Sequence, residues 1–407
     1  MQQADRSLGA QACFRAGLIL YGIGALLSAV APNLAVLMLG NSVLEGVGTA
    51  LLIPPVYILT TLRFHDLASR ARAFGVISGM GGIGAAAGPL IGGVITSAIS
   101  WRAAFLFQAL IIVAIVLLAR RVADPLPADP TRPFDAFGAV LSAVGMFFVV
   151  FGILQADDDA ALMAVLLVAG AACLTWFFLH IRARERAGRE ALLSLRLFRN
   201  RTSNLALATQ NIQWLLLMGT SFVVAVFLQT VRGYDAIETG VVFTAATLGV
   251  LVSSLAAERL AKRRPQRTLI IAGFLVTVIG IGTLLALVGA SSRALAFAPG
   301  LLVIGLGLGV MLTPSVNVVQ SAFPERLQGE LSGLSRSVSN LGSSFGTAIA
   351  GTILVSDLAS GNTSYVLAMA VLGALALIGL VAAFLLPRAT AAQAPAAEPS
   401  AERHRLA

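Results

Sequence analysis

Continuous apolar runs, each closed by a short polar interval, recur along the whole chain. A run of roughly 20 residues crosses the hydrocarbon core of a bilayer as a helix. Apolar and polar positions do not alternate within the runs, so barrel strands are not expected. In lipid only helices and closed barrels satisfy their own backbone. The pattern predicts an all-α polytopic membrane protein of about 12 spans. They fall near residues 16–32, 34–60, 73–98, 102–119, 136–155, 160–181, 204–230, 238–258, 269–289, 295–320, 331–355 and 365–386.

The polar intervals carry orientation. Basic residues gather on alternate intervals: Arg63, Arg70 and Arg72; Arg120, Arg121 and Arg132; Arg182 through Arg201; Arg259 through Arg267; then Arg326. The other set holds only Arg102, Arg232 and Arg293, together with the acidic turn Asp157-Asp158-Asp159. Basic loops stay cytoplasmic, so both termini are expected inside, in a cell (inner) membrane. "LLSLRLFRN", 192–200, reads as an amphipathic stretch on the inner leaflet.

Composition sharpens this picture. The chain is 57% hydrophobic and 12% charged, with mean hydropathy +0.89, whereas a soluble domain carries about 25% charged residues. The net charge of +9 follows from topology, and no nucleic-acid partner is expected. Cys13 and Cys173 read as packing residues, and His65, His180 and His404 share no metal-ligand spacing. No cofactor or metal is expected. Walker, HExxH and GxSxG patterns are missing, so no enzyme activity is expected.

Three groups of residues carry candidate chemistry. Gly84, Gly88 and Gly92, four apart, form a smooth ridge for close helix packing, with Pro89 permitting a bend and Gly93 closing the motif. Such a helix suits a rocking element, or only tight packing. A related small-residue ridge, Gly342 and Gly346, recurs near the C-terminus. Glu45 lies inside an apolar span and shares a helical face with Asn41, Ser42 and Thr49. An ionisable group at that depth is costly and suggests a proton carrier; the other reading is a protonated acid bonded to a neighbouring helix. Arg336 is a second buried-charge candidate, or it snorkels to the surface. Gln210, Gln213 and Trp214, and likewise Asn317 and Gln320, keep helical spacing and could line a substrate cavity or bond between helices; Asn41 and Ser42 are further cavity candidates.

Together these segments resemble the major facilitator superfamily, and within it the fourteen-span drug:proton antiporter branch of the QacA/EmrB type. Gly84 to Gly93 resembles that branch's fifth-span antiporter motif, and Leu37 to Ala50 its fourth-span motif. "SLRLFRN" at 194–200, "FLQTVRGY" at 227–234 and the segment 323–352 resemble its connections and penultimate region. The resemblance covers nearly the whole chain. It implies six spans, two inserted spans and six more; here four, two and six are visible, so the first two spans are expected to be missing. The segment 4–17 resembles the loop that would follow them. Ser42 stands where the family usually has Arg, and Glu45 where it often has Gln.

The expected organisation is an incomplete N-terminal bundle (1–121), two inserted spans (122–182), a cytoplasmic connection (183–203), a six-span C-terminal bundle (204–387) and a disordered cytoplasmic tail (388–407). The expected function is export of hydrophobic or cationic small molecules in exchange for protons, by alternating access in a lipid bilayer, with a monomer as the expected state. The alternatives are a truncated, non-transporting membrane protein and a facilitator without proton coupling.

Overall fold

A computed structural model describes residues 10–63, 69, 80, 84, 88, 91–119, 135–155, 159–189, 192–261, 263–288, 293–323, 328–355 and 362–387. Among the described residues all regular structure is helical: α1 (Ala10–Ala29), α2 (Leu34–Leu37), α3 (Glu45–Arg63), α4 (Trp101–Ala119), α5 (Ala136–Leu154), α6 (Ala160–Arg186), α7 (Arg201–Val226), α8 (Ala236–Ala261), α9 (Gln266–Val288), α10 (Ala298–Ser321), α11 (Gln328–Val355) and α12 (Asn362–Leu385). A π-helical stretch, Met38–Leu44, joins α2 to α3, and a helical piece at 91–98 precedes α4. Ten of the described stretches are long and apolar enough to cross a membrane. α11, at 28 residues, has the length as well.

The helix starts follow local chemistry. Asn33, Asp135, Asp159 and Asn200 each turn a side-chain oxygen onto free N–H groups of the first turn of α2, α5, α6 and α7. Asp159, the last residue of the acidic turn, is thus a cap. The first span begins at Ala10, earlier than the apolar run alone implies, because the polar Gln11 and Arg15 ride on its first turns. Cys13 is buried, Cys173 is half-buried, and neither is in a disulfide. The 73–98 span lies mostly outside the described residues, and so do Pro89 and the tail after 387.

α1 packs between α3 and α4. At the far end of this unit the Arg102 guanidinium donates to the Ala31 carbonyl at 3.0 Å, closing α1 onto the start of α4. Helices α7 to α12 share one apolar core, centred on Leu216, Phe227, Phe274, Phe297, Leu308 and Tyr365. α11 crosses α7 so closely at Gly342 and Gly346 that a Cβ at either would overlap the carbonyls of Asn211 and Leu215. The hairpin α5–α6 leans on α11, where Thr352 Oγ1 donates to the Ile153 carbonyl at 3.2 Å.

The hairpin is pinned at its basic end by one carboxylate. Asp135, 1% exposed, accepts from the Gly138 N–H at 3.0 Å and the Leu192 N–H at 3.3 Å. Its Oδ1 also lies 3.0 Å from His180 Nε2 and 3.6 Å from Arg184 Nη1, one turn apart on α6. Burial pushes this carboxyl up. The His180 hydrogen bond, the Gly138 N–H and the Arg184 charge outweigh it and hold it below the usual aspartate value. "LLSLRLFRN" forms a 3-10 turn at Leu195–Arg199, with Leu197 fully buried and Arg196 and Arg199 exposed.

Two outcomes follow. Gly346→Leu forces α7 and α11 apart and will destabilise the protein by about 1–3 kcal/mol or more, read as a lower Tm in detergent. Because the folded pKa of Asp135 is depressed, its stabilisation is full above the free value of about 3.9 and is lost as pH falls through the lower, folded value. The protection of the Gly138 and Leu192 amides against exchange, relative to their intrinsic rates, will therefore hold from pH 7 to about 5 and fall only below about 4.

Candidate functional site

Glu45 is positioned by an irregular helix. Its N–H bonds the Gly40 carbonyl, five residues back, at the end of the π-helical stretch Met38–Leu44. Such i→i+5 turns occur frequently at functional sites. The wider turn also changes which residues share a face. Glu45 is 6% exposed and turned to α1 and α4, whereas Asn41 and Ser42 are exposed and Thr49 is half-buried. The shared face expected from uniform helical spacing is therefore not formed: the π turn rotates Asn41 and Ser42 away from the acid.

Two residues that the sequence reading passed over complete the surroundings of Glu45. Gln108 Nε2 on α4 donates to Glu45 Oε2 at 2.7 Å and to the Tyr21 hydroxyl on α1 at 2.8 Å. Tyr21 adjoins the same carboxyl. The second carboxyl oxygen, Oε1, is buried with no hydrogen-bond partner among the described residues. Gly24 on α1 gives the acid its room: a Cβ there would fall 2.8 Å from Glu45 Cγ and 2.6 Å from the Gly40 carbonyl. Of the three side chains only Glu45 is a carboxylic acid, and it is 6% exposed. The available signal was a lone polar side chain in each of two apolar runs, "LILYGIG" and "FLFQALII".

The glycine motif is described in part. A Cβ at Gly84, Gly88 or Gly92 would meet open space among the described residues, whereas one at Gly93 would fall 2.6 Å from the Ala236 carbonyl at the start of α8. Close approach to another helix therefore occurs at Gly93, and the expected packing ridge at 84, 88 and 92 touches nothing described.

On α7 the polar stripe turns to its neighbours. Gln210 is tied to α11 at both ends of its amide: its Nε2 donates to Ser339 Oγ and its Oε1 accepts from Ser335 Oγ, both at 2.9 Å. Gln213 Nε2 donates to the Leu308 carbonyl on α10 at 3.2 Å, while its buried Oε1 has no partner. This geometry answers to bonding between helices. Trp214, Asn317 and Gln320 are half-buried. Arg336 is exposed, with its guanidinium 5.9 Å from the Trp214 ring centre, so it is not a buried charge. It sits two turns from the start of α11, within reach of the open side. Among the described residues no hydrogen bond connects the Glu45 group with the α7 stripe.

Gln108→Leu leaves both Glu45 and Tyr21 without their amide donor and will cost about 1–3 kcal/mol. Tyr21→Phe, which keeps the Gln108–Glu45 bond, will cost less. Thermal unfolding of the two variants in detergent checks the order.

A family model described as Major Facilitator Superfamily matches residues 3–347. The chain is similar to multidrug resistance protein Stp of Mycobacterium tuberculosis, 26% identical over 349 residues, covering 84% of this chain and 63% of that protein. It is similar to puromycin resistance protein pur8 of Streptomyces alboniger, 28% identical over 85% of this chain and 69% of that one. It is also similar to multidrug efflux pump LfrA of Mycolicibacterium smegmatis, 29% identical over 82% of this chain and 65% of that one. The chain thus spans less than two thirds of the length of Stp and LfrA. Among solved structures, nucleoside transporter NupG superposes with a TM-score of 0.62 over 95% of this chain and 85% of that chain; at 11% identity this is a likeness of fold. With its family model matching residues 3–347, the chain belongs to the major facilitator superfamily.

Proposed function

We propose that this chain is a secondary active exporter that moves hydrophobic or cationic small molecules out of the cell in exchange for protons, by alternating access. The observation that carries the proposal is the Glu45 carboxyl, buried within a span, held by Gln108 through one oxygen and bare at the other. A carboxyl in that position changes its hydrogen bonds to α1 and α4 when it gains or loses a proton, which couples protonation to helix position. The names of Stp, pur8 and LfrA, resistance and efflux proteins, support the substrate class.

The remaining parts of the reading have their own supports. The contact of Gly93 with Ala236 puts the end of the glycine motif against the C-terminal bundle, where a rocking motion needs a bearing surface. Gly84, Gly88, Pro89 and Gly92 are assigned to the same element. The hairpin α5–α6, lying between the two bundles in sequence and leaning on α11, supports the fourteen-span branch. The distribution of arginines supports an inner-membrane location with both termini cytoplasmic. Trp214, Gln213, Asn317 and Gln320 remain cavity-wall assignments, and the protein is taken to act as a monomer.

The test is dye efflux from cells expressing the gene from its native locus, with Glu45 or Glu45→Gln, in the presence and absence of an uncoupler. Uncoupler-sensitive efflux that falls at least about tenfold in Glu45→Gln, a loss typical of a general acid–base group, is the expected result. Equal uncoupler-sensitive efflux from both forms makes Glu45 a structural acid. Efflux indifferent to the uncoupler overturns antiport and leaves a facilitator.

A further inference from the structure

Where the lipid-facing surface of α6 ends, the chain builds a basic recess of about 370 Å³ that the transport reading does not use. Arg182 and Arg186 from α6 and Arg196 and Arg199 from the 3-10 turn line it, and all four are exposed. Arg182 and Arg186 are four residues apart on an α-helix, and Arg196 and Arg199 three apart on a 3-10 turn. Both spacings stack like charges over one another, which is unfavourable without an anion between them. The one acid in the recess, Glu185, is already engaged, accepting from Ser194 Oγ at 3.1 Å and the Leu195 N–H at 2.8 Å. Those bonds fix the turn against α6 and so fix the spacing of the arginines. Among the described residues none of the four is in an ion pair, whereas their neighbour Arg184 is turned inward to Asp135.

The recess is continuous with an apolar face. Phe178 and Leu179, 42% and 58% exposed, precede Arg182 by one turn on the same side of α6. Phe178 meets the Phe198 ring of the turn edge-on at 5.7 Å, so an aromatic pair stands beside the recess. A ligand that satisfies both halves has an anionic head of phosphate size and an apolar body lying along α6.

We propose that this recess binds the headgroup of an anionic phospholipid of the adjoining leaflet, with the four guanidiniums on the phosphate and the acyl chains along Phe178 and Leu179. Guanidinium forks match phosphate oxygens in pairs, and basic pockets at the membrane surface recognise anionic lipid heads. By the arginine distribution this leaflet is the cytoplasmic one, but the binding chemistry does not depend on that assignment.

The test uses the full chain, purified in detergent and titrated with phosphatidylglycerol, phosphatidylcholine or inorganic phosphate, with bound lipid counted by native mass spectrometry. Saturable binding of phosphatidylglycerol, not of phosphatidylcholine and not displaced by millimolar phosphate, is expected. The R182Q/R186Q/R196Q/R199Q variant will bind it at least about tenfold more weakly, since each surface cation contributes on the order of 1 kcal/mol. The control R259Q/R263Q/R264Q, which removes cations elsewhere, will bind as the parent does. If the fourfold variant does not fold, R182Q/R186Q and R196Q/R199Q made separately give the same reading at smaller amplitude. Unchanged binding in these variants, an equal loss in the control, or displacement by free phosphate overturns the proposal.

Discussion

The hydrocarbon core offers no water, so a polar group placed there must find its partner on protein. The rest of this structure answers to that constraint. Hydroxyls on the spans fold back onto carbonyls one turn earlier, as Ser28 does to Gly24, Thr220 to Leu216 and Thr277 to Gly273. Longer polar side chains reach across. Gln210 spends both ends of its amide on α11, and Gln108 spends its donors on α1 and α3. Reaching across requires helices that lie close, and closeness requires positions without side chains. The glycines of α11 stand opposite the α7 carbonyls one turn from Gln210, and Gly24 stands opposite Glu45. Small residues and polar pairs are thus one device: the first lets the backbones approach, the second makes that approach specific.

Much of the span pattern could be read from the chain because a bilayer imposes it locally: any stretch of sufficient length and apolarity must be a helix. The caps are local as well, yet Asp159 stood in the sequence only as part of an acidic turn, and the structure makes it the cap of α6. What escaped was long-range or irregular. Asp135 looks like a loop acid in sequence, and its partners His180 and Arg184 lie a hairpin away, so only folding brings them within reach. Tyr21 and Gln108 are single polar residues in apolar runs and carry no periodic signal of their own. The grouping of Asn41 and Ser42 with Glu45 assumed an α-helical turn throughout, and the π stretch breaks that assumption at the point where the acid sits. The Gln210 stripe was legible as a polar face, but spacing does not say whether such a face meets water or a neighbouring helix. Ser335 and Ser339, on a helix more than a hundred residues later, decide it.

The two bundles use their mid-span polar groups differently. In the C-terminal bundle Gln210 is locked, and Asn211 donates to the Val338 carbonyl at 2.9 Å, so α7 and α11 are clamped at two successive positions. In the α1–α3–α4 unit Gln108 bridges Tyr21 and Glu45, and the Arg102 cap lies at the far end. The polar pairs described in the C-terminal bundle are thus neutral, whereas the one between α1, α3 and α4 includes an acid.

Buried polar atoms without partners call for an explanation, because leaving one unmade is expensive. Such atoms among the described residues include Glu45 Oε1 beside α1 and Gln213 Oε1 beside α10, on side chains 6% and 1% exposed. Each is anchored through its other terminal atom, so neither can turn away to relieve the cost without breaking the bond it already has. An anchored, bare oxygen is a preformed acceptor. On a glutamine it can receive only a hydrogen bond, and the side chain stays neutral whatever arrives. On a glutamate it can receive a proton, and the Gln108 bond then changes from one to an ionised acceptor to one to a neutral acceptor, weakening by roughly half. The chemical difference between these two sites, more than their geometry, is what puts the protonatable acceptor on the α1, α3 and α4 side.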